Sequence, residues 1–140
     1  MEPTFEYKLV SVLNKSLDPG VAMNALAHMC LGLGASIKKE LLRLDLYMDA
    51  AENVYPHISQ MPFMVLKGSE SKIRTLEAAS KAHNIHYVTF LDTMTGGSYK
   101  EQLERTQKTM PEDLTFYGIS LFGPWAKVCA LTKKFSLWRL

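Results

Sequence analysis

Asn24 and His28 are the only strongly polar side chains within the apolar run from Val21 to Leu33. On a helix they stand one turn apart on the same face. An imidazole placed there can donate, accept or titrate near neutral pH; the commoner role for such a histidine is a satisfied core residue. Two polar loops supply the other candidates. Asn14–Gly20 carries Lys15 and Ser16 ahead of a helix N-terminus. Asp92–Ser98 carries a carboxylate, Thr93 and Thr95, and the pair Gly96-Gly97, which allows close backbone approach. Asp92 ranks first as a catalytic candidate, because a carboxylate just after a buried strand can accept protons or hold a water or ligand hydroxyl. Capping the turn through its side chain is the competing role.

Other chemistries lose support on spacing. His57, His83 and His86 share no metal-ligand pattern, and Cys30 and Cys129 lack a Cys-x-x-Cys or Cys/His neighbourhood. No metal and no cofactor is therefore expected, and the cysteines read as buried free thiols. The serines lack a nucleophile-elbow pattern, and two adjacent glycines alone make no phosphate loop. Trp125, Phe135 and Trp138 lie among Lys127, Lys133, Lys134 and Arg139. They fit core completion better than a base-stacking surface.

Composition bounds the class. The 140 residues are 47% hydrophobic and 21% charged, enough for one core and one domain spanning residues 1–140. No apolar run reaches the length of a membrane span, and residues 1–6 lack the pattern of a signal peptide, so a cytoplasmic protein without a membrane partner is expected. The net charge of +2 does not argue for nucleic acid. It is unevenly spread: residues 1–70 hold 6 basic and 8 acidic side chains, residues 71–140 hold 10 and 6. That asymmetry permits an anionic partner near the C-terminal half, and solvated helix faces explain it about as well.

The elements that would position these groups alternate. Phe5–Leu13 reads as a strand buried on both faces. A helix then opens with Asp18 as N-cap and Pro19 at its first position, and Gly34 is its expected C′ residue. Residues 35–61 have no clear periodicity. Pro62–Lys67 is a short buried strand, Glu70–His83 a helix and His86–Leu91 a strand, together a βαβ crossover. Ser98 and Glu101 form a capping box for a helix to about Thr109. Leu114–Phe122 is a strand broken by Gly123-Pro124, and Pro124–Lys133 is the last helix. The pattern predicts an α/β fold. In open α/β sheets, ligands bind beyond the carboxyl ends of the parallel strands, where both polar loops would lie.

A set of residues carries a resemblance: Tyr7-Lys-Leu-Val, Asp18-Pro-Gly-x-Ala-x-Asn-Ala-x-Ala-His28, Leu31-Gly-Leu-Gly-Ala35, and Tyr117-Gly-Ile-Ser-Leu-Phe-Gly-Pro124 with Val128 and Leu131-Thr132. These look like an uncharacterised bacterial family of small proteins. That family is similar in fold to the type II peptidyl-tRNA hydrolases, whose helix reads Gly-Lys-x-x-x-Gln-x-x-His and whose later loop begins with an aspartate. The resemblance implies a three-layer α/β/α sandwich on a mixed four-stranded sheet, with the last strand antiparallel to its neighbours. It also implies that Thr115, at the start of that strand, approaches the site. Aligned on His28, the hydrolases' lysine falls on Val21 and their glutamine on Ala25, so the groups that would orient an ester and its water are missing. Lys15 could restore the positive charge from the neighbouring loop.

The expected function is binding of a small or nucleotide-like ligand at Lys15, Asn24, His28, Asp92, Thr93, Thr95 and Thr115, with the parent hydrolase chemistry lost or altered. The alternative is an active hydrolase of peptidyl-tRNA or another ester or amide, with Asp92 orienting water; tRNA is the less favoured partner. A third reading is a non-catalytic homodimer using an apolar face, which the eight methionines allow.

Overall fold

The computed structural model describes residues 4–140. Its frame is a five-stranded mixed sheet, in the order β5-β6-β1-β4-β7. The strands are β1 (Tyr7–Asn14), β4 (Phe63–Gly68), β5 (His86–Leu91), β6 (Phe116–Pro124) and β7 (Ser136–Leu137); β2 (Leu44–Met48) and β3 (Val54–Ser59) pair separately as a hairpin. β1 and β4 are parallel, while β6 runs antiparallel to both neighbours, β5 and β1. In that sheet the strand antiparallel to both neighbours is thus interior. Its burial explains why β6 reads as a nearly continuous apolar run. Where β1 faces β6, Ser11 and Ser120 are paired in register and their hydroxyls lie 2.6 Å apart, each satisfying the other in the dry sheet centre.

Helices cover both faces. α1 (Pro19–Ala35) packs through Ala22, Ala25, Met29 and Leu33 on β6, β5 and β1. On the other face α2 (Glu70–Ala82) and α4 (Trp125–Thr132) bury Ile73, Leu76 and Val128 against Val10, Val12, Ile119 and Leu121. α3 (Tyr99–Gln107) follows the loop after β5. Ser98 caps it by accepting from the Glu101 N–H at 3.2 Å, and the Ser98 hydroxyl donates to the Glu101 carboxylate at 3.1 Å. Trp138 packs against the core cluster that includes Leu13 and Ala22, and its backbone N–H donates to the Val65 carbonyl at 3.0 Å, so this part of the tail completes the core. Among the described residues no helix is long and apolar enough to cross a membrane.

Four expectations change. The sheet has five strands, not four, because Ser136 and Leu137 turn back onto Lys67 and Leu66. α1 does not stop at Gly34: it runs to Ala35, and Ser36 caps it in right-handed geometry, its N–H on Gly32 and Leu33. β6 is not broken at Gly123-Pro124 but continues to pair there with Lys8 and Tyr7, so α4 starts at Trp125. Cys30 and Cys129 are only half-buried. The unread stretch 35–61 holds a short 3₁₀ turn, Lys39–Leu42, followed by the hairpin.

Candidate functional site

β1 and β5 carry both polar loops to the same end of the sheet. There the backbone of Asp92 donates to the Thr115 carbonyl at 3.0 Å, and the Thr115 N–H donates to Asp92 Oδ1 at 3.0 Å. Buried Asn14 donates from Nδ2 to the Phe116 carbonyl at 3.0 Å and accepts the Ser16 N–H at 2.9 Å. Glu70, at the start of α2, accepts the Phe116 N–H at 3.0 Å and pairs with Arg74 at 3.2 Å. Arg74 donates onward to the carbonyls of Pro111 and Leu114 and lies over the Phe116 ring. These polar groups tie the entry of β6 to three neighbouring elements.

The Asp92 loop is equally committed. The Thr95 hydroxyl donates to the Asp92 carbonyl at 2.9 Å, and Thr93 Oγ1 accepts from Thr106 at 2.7 Å. Arg105 donates to the carbonyls of Thr93, Thr95 and Gly96. Gly96 and Gly97 both have φ of +72°, the left-handed conformation that glycine adopts without steric cost. Lys15 is exposed; its backbone N–H is bound to Gly68.

His28 sits apart from these groups, on the flank of α1. Its ring lies 5.6 Å from that of Phe90, which in turn is 6.2 Å from Tyr117. The His28 and Phe90 rings wall a groove of about 460 Å³ between α1, β5 and α3. Met29, Val88 and Met94 line it too, and α3 contributes Tyr99, Gln102, Leu103 and Thr106. Of the sequence-predicted residues, His28 lines this groove, and Thr93 touches its wall through Thr106. Asp92 and Thr115 bind each other, while Lys15 and Asn24 are exposed away from the lining. The α3 residues were missed as site residues. Tyr99, Gln102, Leu103 and Thr106 share one helical face at the i, i+3, i+4, i+7 spacing, and that spacing was the available signal.

A second groove of about 530 Å³ opens on the opposite side between α2 and α4, with Lys72, Lys133 and Lys134 in its lining. Part of the positive charge of the C-terminal half is gathered there. Burial pushes the Cys30 thiol up, offset in part by a hydrogen bond with Ser11. Among the described residues no group of three His, Cys, Asp or Glu side chains could hold a metal ion.

Residues 7–139 match the model of a family described as a protein of unknown function, DUF2000. The chain belongs to that family. A solved neighbour in fold, a protein of unknown function from Agrobacterium, superposes on this DUF2000 chain with a TM-score of 0.83 at 22% identity, over 97% of this chain and 100% of that one. Among curated proteins no match is found. At this identity the likeness establishes the fold of the DUF2000 chain and nothing of its chemistry.

Proposed function

We propose that this DUF2000 protein binds a small, flat, largely uncharged molecule, such as the base of a nucleotide-like ligand, in the groove between α1 and α3. The carrying observation is the groove itself. Its volume of about 460 Å³ falls within the roughly 300–1,000 Å³ of small-molecule sites. Aromatic and aliphatic walls would supply area, while His28 and the side-chain oxygen of Gln102 would supply the few polar contacts that fix orientation. Asn24 and Asp92 would meet only the ligand's outer parts. The fold is proposed to be that of the type II peptidyl-tRNA hydrolases, supported by β6 running antiparallel between β5 and β1. A cytoplasmic setting goes with this reading.

The test is a chemical-shift titration of the isotope-labelled protein with nucleosides and neutral aromatic compounds. Shifts should concentrate at His28, Phe90 and Gln102, and Leu103→Lys, which puts a charge at the groove wall, should weaken binding at least about tenfold, roughly 1.4 kcal/mol. Shifts spread over other faces, or none at millimolar ligand, would overturn the proposal.

A hydrolase is the second reading, favoured by one observation: Asp92 is half-buried and engages Thr115 through Oδ1, which leaves Oδ2 to hold a water. Release of a peptidyl group from tRNA by the wild type, lost in Asp92→Asn with the fold intact, would establish it. The missing cation at Val21 and the burial of Ala25 argue against it.

A further inference from the structure

Neither face of the hairpin of β2 and β3 is buried: Tyr47, Tyr55 and Ile58 stand exposed on one side. Cross-strand pairs Leu46↔Pro56 and Met48↔Val54 share the other face with Leu44, and all five side chains are exposed. A two-stranded hairpin is marginal in water unless an apolar face is covered. Here Ser59 alone among the strand residues is even half-buried. His57, with φ of +70°, is the extra residue of the bulge that keeps this apolar face continuous past Asp45.

A second uncovered surface lies on the same chain. The 17 residues of α1 include no Asp, Glu, Lys or Arg, so the face turned from the sheet is as neutral as the one buried on it. Helices apolar all round are normally buried on all sides. Yet Leu31 is 75% and Met23 62% exposed. Gly20, Asn24 and Ala27 beside Leu31 make that face low and flat, a shape that accepts a projecting ribbon.

We propose that the occupant of each surface is a second copy of this chain: the hairpin of one protomer lies across the outer face of α1 of its partner, and the reverse, in a two-fold dimer. Charge matches this exchange. Residues 44–59 hold three acidic side chains (Asp45, Asp49, Glu52) and no Lys or Arg, a charge of −3, so the remainder of the chain carries +2 − (−3) = +5. At the ends of α1, Lys15, Lys38 and Lys39 outnumber Asp18 and Glu40. Area comes close as well. Covered completely, the exposed parts of Leu44, Leu46, Met48 and Val54 with those of Val21, Met23 and Leu31 would bury at most roughly 750 Å² per protomer, against the ~800 Å² that each partner of a standard interface buries. A two-fold axis uses each surface twice, so two unlike patches on one chain close without leaving an open end.

The hairpin arrives prearranged. Asp49 accepts the N–H groups of Ala51 and Asn53 at 2.9 Å and the Tyr55 hydroxyl at 2.8 Å, fixing the tip without help from a partner. Little ordering entropy then remains to be lost on docking.

Light scattering and sedimentation of the full chain should give twice 15.8 kDa at micromolar concentration. Leu46→Lys and Leu31→Glu change exposed positions, so circular dichroism should stay native while each variant alone turns monomeric, its dissociation constant raised at least about tenfold. Mixing the two variants should restore a dimer, because the mixed pair keeps one unaltered hairpin-to-helix contact and sets the introduced lysine against the introduced glutamate in the other. A wild type that stays at 15.8 kDa at about 100 µM, or a dimer untouched by both variants, overturns the proposal. So does a mixture that remains monomeric, a Leu31→Glu variant that stays dimeric, which would point to hairpin-on-hairpin contact, or stable capture of an unrelated protein by the monomer.

Discussion

Asp92 and Thr115 hold each other twice, backbone N–H to carbonyl in one direction and backbone N–H to Oδ1 in the other, both at 3.0 Å. The pair closes the ladder between β5 and β6 one step beyond Leu91↔Phe116. Asp92 therefore has a structural role whatever else it does.

Replacing Asp92 with Ala should cost about 1–3 kcal/mol, the usual penalty for removing a charged acceptor from a half-buried N–H. Asp92→Asn should retain most of that stability, since its side-chain oxygen still accepts from Thr115. Urea denaturation of the two variants checks this, and an Asn variant as damaged as the Ala variant would refute the role.

Two glycines should respond in opposite senses to the same change. A methyl group on Gly118 would sit 2.7 Å from Met29 Cε, 3.0 Å from the Val12 carbonyl and 3.2 Å from Leu13, in the contact of α1 with β6. Gly118→Ala should destabilise by about 1–3 kcal/mol through overpacking. At Gly34, inside the last turn of α1, the methyl meets nothing within 4 Å. Gly34→Ala should stabilise by roughly 0.5–1 kcal/mol, read as a higher thermal midpoint.

The hairpin tip should loosen in acid. The Tyr55 hydroxyl first, then the Asn53 side chain and backbone, hold the Asp49 carboxyl down to about 2 from its ordinary 3.8. A depressed folded-state value means that the stabilisation is complete above about pH 4 and is lost as the pH falls toward 2. Protection of the Ala51 and Asn53 amides, measured against their intrinsic exchange rates, should fall across that window, and Asp49→Ala should lack that protection already at neutral pH.

Most of the sheet and all four helices were legible because their periods agree with their burial: Ile73 and Leu76 recur on the face of α2 that meets the core, and β6 is apolar throughout because it is interior. The hairpin was not. Periodicity is read as a sign of an inner face, and Leu44–Met48 is exposed on both faces, while His57 shifts the phase of β3. β7 has two residues, too few for any period. At the site, His28 stood out as a polar group in an apolar helix. The groove's other wall did not, because α3 is mostly polar and charged, and its Tyr99, Gln102, Leu103 and Thr106 face gains meaning only opposite Phe90.

The place of β6 in the sheet also constrains the order of folding. β1 and β4 can pair as soon as residue 68 has been synthesised, but among the described residues the only strand β5 pairs with is β6. Until residue 124 is available, β5 lacks the strand it pairs with, and α1 lacks part of the floor it packs on. The last large strand is thus the keystone, inserted between two strands already made, and such distant pairings are the slow step of folding and the moment of greatest exposure to aggregation.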